Sequence, residues 1–151
     1  AVDQFSDLNI KVSKLRIGLV LAQGGGVLAT LKIPTQLGLG AAFGSGKQWQ
    51  SWIHVSDLSK LFLEAADQQW EGVYNAVAPE VVTQTEFIRQ LAKGLRRPFF
   101  MPPLPYFLIR MMVGEMSTLV LNSQYVSSQK VVDTAFDYEF PSLEKALLDL
   151  L

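Results

Sequence analysis

Short apolar segments alternate with capped amphipathic helices along this chain, and that alternation constrains its fold more than any other feature. Residues 11–21 are rich in Val, Ile and Leu, and they predict a strand that is buried on both faces towards its end. The glycines Gly24, Gly25 and Gly26 then form a turn. Residues 27–37 predict a short apolar helix, and residues 38–46 a Gly-rich loop. This order of elements predicts an α/β fold.

The alternation continues through the middle of the chain. Residues 49–55 predict a strand or extended segment, after which Ser56 or Asp57 is expected to N-cap a helix. Helical spacing predicts that the core face of this helix carries Leu58, Leu61, Phe62 and Ala65. A short strand is expected over residues 73–77. The sequence Thr83-Gln84-Thr85-Glu86 is a capping box, and it predicts a helix that buries Phe87, Ile88, Leu91 and Leu95.

The last third of the sequence is predominantly helical. Residues 99–101 predict an extended segment, and helices are expected over residues 105–113, 116–122, 128–134 and 142–151. An amphipathic stretch around Val2 and Phe5 predicts a further helix at the start. We therefore divide the chain into an α/β region, residues 1–98, and a mostly helical C-terminal subdomain, residues 99–151.

Composition excludes several classes of function. The chain has 151 residues, of which 49% are hydrophobic and 18% charged, so it is long and apolar enough for a real core. Its net charge of -1 gives no reason to expect nucleic acid or an anionic membrane as a partner. There is no cysteine and no signal-peptide pattern, and the longest apolar run, residues 106–113, is too short to span a bilayer. These features predict a soluble, cytoplasmic protein.

Residues 44–57 carry an unusual density of contact chemistry. They contain the single His of the chain and two of its three Trp, together with small Gly and Ser residues that let a ligand approach the backbone. Lys47, Gln48 and Trp49 offer a charge, an amide and a flat amphipathic ring, and Lys47 suits a phosphate or carboxylate. We therefore predict one wall of a small-molecule site here.

Several apparent motifs are better explained without function. Gly46-Lys47 is not a P-loop, because Ala41 stands where the first Gly is needed and Gln48 where Ser or Thr is needed. The three glycines from Gly24 lack the dinucleotide-binding spacing. His54 has no cysteine or clustered carboxylates beside it, so no metal site is predicted, and a structural role is favoured over a catalytic one.

The sequence Leu15-Arg16-Ile17-Gly18-Leu19-Val20-Leu21, followed by the three glycines, resembles the strand and loop after the catalytic helix in extended short-chain dehydrogenases/reductases. More specifically, the chain resembles the atypical NAD-dependent epimerase/dehydratase-like subfamily, often labelled nucleoside-diphosphate-sugar epimerase, which ends in a helical domain. Further matching segments are Leu37-Gly38-Leu39-Gly40, Gly44-Ser45-Gly46-Lys47-Gln48, Trp52-Ile53-His54-Val55-Ser56-Asp57, Tyr74-Asn75-Ala76-Val77-Ala78-Pro79, Gly114-Glu115, Gln124, Ala135-Phe136-Asp137-Tyr138-Glu139-Phe140-Pro141 and Leu143-Glu144-Lys145-Ala146-Leu147.

The resemblance implies the C-terminal part of a Rossmann-type fold, with NAD or NADP as cofactor of the parent protein. The N-terminal dinucleotide-binding half, with its glycine fingerprint and a Tyr-x-x-x-Lys pair, has no counterpart in these 151 residues, and the chain begins at Ala1 without a methionine. We expect a piece of a longer polypeptide whose missing half is its partner, and we expect no catalytic residue in this chain.

Ligands of this fold bind outside the carboxyl ends of the parallel strands. The resemblance therefore implies cofactor contacts from the backbone near Gly18, Val20 and Leu21, and substrate contacts from Lys47, Gln48 and Trp49. Trp52, His54 and Asp57 are expected to support the site, with Asp57 capping the next helix and His54 fixing the turn.

The function that follows is the substrate-side portion of an NAD(P)-dependent oxidoreductase or epimerase acting on a small, nucleotide-sugar-like substrate, with the chain inactive alone. Two alternatives stay open. One is a nonenzymatic NAD(P)- or ligand-binding regulatory protein on the same fold. The other is a proteolytic product that associates, for example as a homo-oligomer, through an exposed sheet edge.

Overall fold

The computed structural model describes residues 11–104 and 123–151. The helices expected around Val2 and Phe5 and over residues 105–113 and 116–122 lie outside these ranges. The strands are β1 Ser13–Ile17, β2 Leu19–Leu21, β3 Ala41–Phe43, β4 Trp49–Gln50, β5 Trp52–His54, β6 Gly72–Ala76, β7 Val82–Thr83 and β8 Met101–Leu104. The helices are α1 Gly26–Gln36, α2 Val55–Asp67, α3 Gln84–Gly94, α4 Gln129–Val132 and α5 Leu143–Leu150.

Pairing between these strands is mostly parallel. β1 pairs with β6, β2 with β5, and β3 with β8, all in parallel, whereas β4 and β7 are antiparallel. Parallel partners cannot be joined by a tight hairpin, and the chain accordingly forms α1 between β2 and β5, and both α1 and α2 between β1 and β6. The described part of the chain is thus an α/β arrangement, as the sequence predicts.

The strand predicted over residues 11–21 is divided in two at Gly18. The chain leaves β6 and joins β5 at this residue: Gly18 N donates to Ala76 O at 3.2 Å, and Leu19 N donates to Ser51 O at 2.9 Å. A Cβ at position 18 would lie 2.6 Å from Val77 Cγ1 and 2.7 Å from Ser51 O, so only glycine fits where the chain passes between its two partners.

The core consists of two clusters. In the first, α1, α3 and α5 pack around β2 and β5, and its largest fully buried side chains are Leu21, Leu28, Trp52, Phe87, Leu91 and Leu147. The second cluster lies between α2, β6 and α4, and it contains Ile53, Leu61, Trp70, Tyr74, Val131 and Phe136. Side chains from both sides of position 98 share each cluster, so the C-terminal segments complete the core of the α/β region.

Two helix predictions are confirmed closely. Helix 27–37 is observed as α1, shifted by one residue, and Thr83 N-caps α3 through a 3.3 Å hydrogen bond that Glu86 N donates to its hydroxyl. Phe87, Ile88 and Leu91 are buried on α3 as expected. The helix predicted over 128–134 is shorter, since α4 covers four residues.

Two local predictions are wrong. The loop predicted over residues 38–46 contains β3, whose partner β8 lies about sixty residues further along the chain and therefore leaves no local signal. Phe62 was expected in the core of α2 but is 48% exposed, because Leu61 and Ala65 occupy the inward face and Phe62 lies on its flank. Among the described residues, no helix has the length and apolar character needed to cross a membrane.

Candidate functional site

A cavity of about 630 Å³ opens where β1 and β6 end, beside the division between β1 and β2. One wall is formed by residues 16–20, and a second by residues 49–51, which precede β5. Asn75 and Val77, at the carboxyl end of β6, form a third. This is the edge of a parallel sheet at which ligands of open α/β folds bind.

The remaining wall comes from residues 123–127, which we call the strap. Gln124 N donates to Trp49 O at 3.1 Å, and Trp49 N donates to the hydroxyl of Ser123 at 3.1 Å. The hydroxyl of Ser51 donates to Gln124 O at 2.8 Å and accepts from Val126 N at 2.9 Å. The strap therefore lies against residues 49–51 through both backbone and side-chain hydrogen bonds.

Polar and aromatic groups face this cavity in a mixed arrangement. Trp49 and Tyr125 are 40% and 67% exposed, and their ring centroids are 5.4 Å apart at an interplanar angle of 82°. Among the described residues that line the cavity, Arg16 is the single charged one. The amide of Asn75, in register with Arg16 on the neighbouring strand, donates to Ser127 O at 2.9 Å.

Behind the cavity, His54 holds the turn into α2. Its Nδ1 accepts from Ser56 N at 3.1 Å, which makes His54 itself the N-cap of α2, and its ring stacks on Phe140 at 3.8 Å between centroids. Because Nδ1 is an acceptor, a neutral ring carries its proton on Nε2. Nε2 lies 3.3 Å from Asp149 Oδ2 but makes no hydrogen bond with residues 11–104 or 123–151. His54 is 1% exposed and does not line the cavity, so it is part of the scaffold.

Asp57 does not cap α2, contrary to the prediction. Its carboxylate accepts the backbone N–H groups of Glu139 at 2.8 Å and Phe140 at 2.9 Å, and it is 1% exposed. His54 takes the N-cap position of α2, and the carboxylate of Asp57 binds the C-terminal segment instead. This pair of bonds fixes the chain that leads into α5.

Tyr138 adjoins this region and is unsuited to acid–base chemistry. Burial raises the pKa of its phenol, and the carboxylate of Asp57 raises it further. The hydroxyl donates to Val77 O at 2.9 Å, directly behind the cavity wall. A general acid or base needs a pKa near the working pH, so Tyr138 supports the wall as a neutral hydrogen-bond donor.

Comparison with known proteins identifies the fold. Residues 104–150 match a family described as "Domain of unknown function (DUF1731)". The chain is 40% identical over 149 residues to an epimerase family protein of Staphylococcus saprophyticus, covering 98% of this chain and 50% of that protein. The human epimerase family protein SDR39U1, solved with NADPH, superposes with a TM-score of 0.84 at 34% identity, covering 93% of this chain and 48% of the human one.

A nucleoside-diphosphate sugar epimerase from Corynebacterium glutamicum superposes with a TM-score of 0.74 at 27% identity, covering 97% of this chain and 27% of that protein. The chain corresponds in sequence and fold to the C-terminal part of extended short-chain dehydrogenases/reductases of the epimerase family. It spans about half the length of the curated relatives that it matches. Its fold is accordingly the C-terminal part of a Rossmann-type fold.

The three residues predicted to contact the cofactor differ in their position relative to the cavity. Gly18 and Val20 line the cavity, whereas the side chain of Leu21 is fully buried in the first core cluster. Leu21 therefore offers a cofactor only its backbone, as the resemblance implies. Gly18 has a second role, because the division between β1 and β2 depends on it.

The three predicted substrate residues are also separated by the structure. Trp49 lines the cavity, but Lys47 and Gln48 do not. Gln48 is 8% exposed, and its amide donates to Phe43 O at 3.0 Å, so this side chain holds the loop together. Lys47 lies exposed on the same loop. Trp52, predicted to support the site, is fully buried in the first core cluster.

Sequence reasoning missed Ser51, Asn75 and Tyr125 as residues of this site. The strap carries no hydrophobic periodicity, so no pattern placed it near Trp49. The signal that the sequence offered for the strap was a polar segment with one aromatic residue, Tyr125, between two predicted helices. In the described residues, no group of three or more His, Asp or Glu side chains is arranged to hold a metal ion.

Proposed function

We propose that this chain forms the substrate-side wall of an NAD(P)-dependent oxidoreductase or epimerase that acts on a small, nucleotide-sugar-like substrate. The observation that carries the proposal is the cavity at the carboxyl ends of β1 and β6, lined by Gly18, Val20 and Trp49. The human relative solved with NADPH and the epimerase names of the other relatives support it. A cytoplasmic location belongs to the same proposal.

The residues present fit one end of the cofactor. A cavity of about 630 Å³ is of the size that ordinary ligand pockets have, and the backbone at Gly18 and Val20 borders it. When bound, the nicotinamide supplies the hydride acceptor or donor of the reaction. The chain holds no glycine fingerprint and no Tyr-x-x-x-Lys, so the phosphates and the proton depend on the N-terminal half.

This chain's own residues then have limited and definable roles. Trp49 contacts the substrate, and backbone groups near Gly18, Val20 and Leu21 contact the cofactor. Trp52, His54 and Asp57 keep residues 49–51 in place from behind. Such a wall orients ligands and excludes water but moves no proton. The chain alone is therefore inactive.

A paired titration tests the proposal. NADPH and NADH are titrated, by calorimetry, into residues 1–151 alone and into the full polypeptide, meaning this chain joined to an N-terminal half such as its relatives carry. We expect micromolar-range binding to the full polypeptide and at least about a hundredfold weaker binding to residues 1–151, because the phosphate cradle lies in the other half.

Equal binding to both proteins would overturn the division of the site, and absence of binding to either would overturn NAD(P) as cofactor. Turnover is followed with a panel of nucleotide sugars in two ways: as absorbance of NADPH for net oxidation or reduction, and as conversion of one sugar epimer to the other by NMR for epimerisation, which leaves the cofactor unchanged overall. Cofactor binding without turnover of any member of the panel would favour a nonenzymatic binding protein on this fold.

A further inference from the structure

The aromatic pair at the mouth of the cavity has no structural task that accounts for its exposure. Trp49 and Tyr125 are both large, both more than a third exposed, and both line the cavity. They contact each other edge to face, at 5.4 Å and 82°. Two rings set nearly at right angles form a corner. A planar ligand ring in this corner can stack on the face of one aromatic ring while its own edge contacts the other aromatic ring.

Tyr125 is exposed, yet its backbone is held on both sides. Gln124 N donates to Trp49 O, and Gln124 O accepts from the hydroxyl of Ser51. The same hydroxyl accepts from Val126 N. A single serine thus fixes both neighbours of Tyr125 in the strap. A contact residue held in this way loses little conformational freedom when a ligand binds.

Arg16 also lines the cavity. Its guanidinium makes no hydrogen bond or ion pair with the described part of the chain, while the side chain of its in-register neighbour Asn75 is bonded to Ser127. A guanidinium that lines a cavity without a partner is suited to a phosphate, which it binds through two parallel hydrogen bonds. The same cavity therefore offers a ring-binding corner and an anion-binding group.

We propose that Trp49 and Tyr125 stack the planar base of a nucleotide whose phosphate is bound by Arg16, and that Tyr125 makes the site prefer a phosphate ligand that carries a base. The inference rests on the proposed function, since it concerns the same cavity. It adds the two groups that recognise the ligand and assigns one of them to the strap, where sequence reasoning placed no site residue. A puckered sugar ring stacks on an aromatic face only through its C–H groups and lacks the flat π-face and aromatic edge with which a heteroaromatic ring contacts both sides of the corner.

The test uses two probes that share a phosphate but differ in the base, uridine 5′-monophosphate and ribose 5-phosphate. Both are titrated by calorimetry into the full polypeptide saturated with NADPH. We expect Tyr125→Ala to weaken the nucleotide by at least about fivefold, the loss typical of one base-stacking aromatic, and to leave ribose 5-phosphate unchanged. Tyr125→Phe keeps the ring and should bind both probes normally.

Arg16→Gln tests the phosphate contact separately from the stacking contact. It should weaken the binding of uridine 5′-monophosphate and of ribose 5-phosphate by the same factor, because both carry the phosphate. Phe100→Ala is the matched control: Phe100 is 72% exposed and does not line the cavity, so its loss should change neither affinity. Glucose 1-phosphate is titrated as a third probe. If Tyr125→Ala weakens glucose 1-phosphate and spares the nucleotide, the corner binds a sugar and the proposal is overturned.

An equal loss of uridine 5′-monophosphate and ribose 5-phosphate in Tyr125→Ala would also overturn it. All titrations are repeated without NADPH. Failure of the full polypeptide to bind NADPH would then count against the proposed function alone, because the effect of Tyr125→Ala on the nucleotide is still measured. Since Tyr125 is largely exposed, its replacement should not unfold the protein.

Discussion

Trp49 and Trp52 are three residues apart, and they belong to two regions with different tasks. Trp49 lies at the mouth of the cavity and is 40% exposed, whereas Trp52 is fully buried in the first core cluster. The region around Trp49 is closed by the strap, and the region around Trp52 by the segment that leads into α5. The short strands β4 and β5 thus divide one sequence with two tryptophans into a part that faces the cavity and a part that lies in the core.

Each region binds the C-terminal part of the chain through one side chain that holds two backbone groups. At the cavity, the hydroxyl of Ser51 donates to Gln124 O and accepts from Val126 N. In the core region, the buried carboxylate of Asp57 accepts from Glu139 and Phe140. A carboxylate binds N–H groups more strongly than a hydroxyl does, so the core attachment should be the firmer one.

The largest expected difference is in the free energy of unfolding that is lost when each of the two tryptophans is replaced. Trp52→Ala should lower the free energy of unfolding by about 3–5 kcal/mol, because it leaves a large cavity in the core. Trp49→Ala should cost less than about 1 kcal/mol, since it removes a partly exposed ring. Urea unfolding of the full polypeptide measures both values. Similar losses for the two variants would show that Trp49 is also a core residue.

A smaller difference should separate Asp57→Ala from Ser51→Ala. Asp57→Ala leaves two N–H groups without their buried acceptor, at a cost on the order of 3 kcal/mol, whereas Ser51→Ala should cost about 1 kcal/mol. Hydrogen exchange distinguishes their locations: the amides of Glu139 and Phe140 should lose protection in the first variant, and the amide of Val126 in the second. Loss of protection at Val126 in Asp57→Ala would mean that the two attachments are coupled.

The smallest effect concerns an exposed attachment of the same C-terminal segment. Lys93 on α3 donates to Glu144 on α5 at 2.7 Å, and this hydrogen bond and the charge of Lys93 lower the pKa of Glu144. The bond and the charge of Glu144 likewise raise the pKa of Lys93. Both groups are exposed, so solvent screens the pair and its contribution is small.

The direction of the pH dependence follows from these shifts. The contribution is complete above the ordinary Glu value of 4.5 and below the ordinary Lys value of 10.5. It is lost as the pH falls through the lowered pKa of Glu144, or rises through the raised pKa of Lys93. Urea midpoints of the parent and Lys93→Met should differ slightly at pH 7 and converge as the pH is lowered through the pKa of Glu144, which NMR follows in the parent. A difference that persists after Glu144 has been protonated would rule out the ion pair as its cause.

The elements that the sequence predicted well are those with local signals. Thr83 and Glu86 lie three residues apart in the capping box, and the buried side chains of α3 repeat at helical spacing. The helix α1 is likewise marked by apolar residues between two glycine-rich segments. In these cases the deciding contacts lie within one or two turns of chain.

The misplaced residues depend on contacts that are distant in sequence. Asp57 is the right residue type for an N-cap, but His54 takes that role and the partners of Asp57 lie more than eighty residues away. Gln48 has the chemistry of a ligand contact, yet it bonds inside its own loop. The strap could not be placed because its hydrogen bonds to residues 49–51 leave no periodic pattern.

Gly18 has a consequence for how the sequence of this chain can vary. Any side chain at position 18 would approach two groups, Val77 Cγ1 and Ser51 O, and only the first belongs to a side chain. Replacing Val77 by a smaller residue would relieve one approach and leave the backbone oxygen in place. No second substitution of a side chain can therefore make room for a Cβ at position 18, and we expect the need for glycine here to come from the change of strand partner, independently of any bound cofactor.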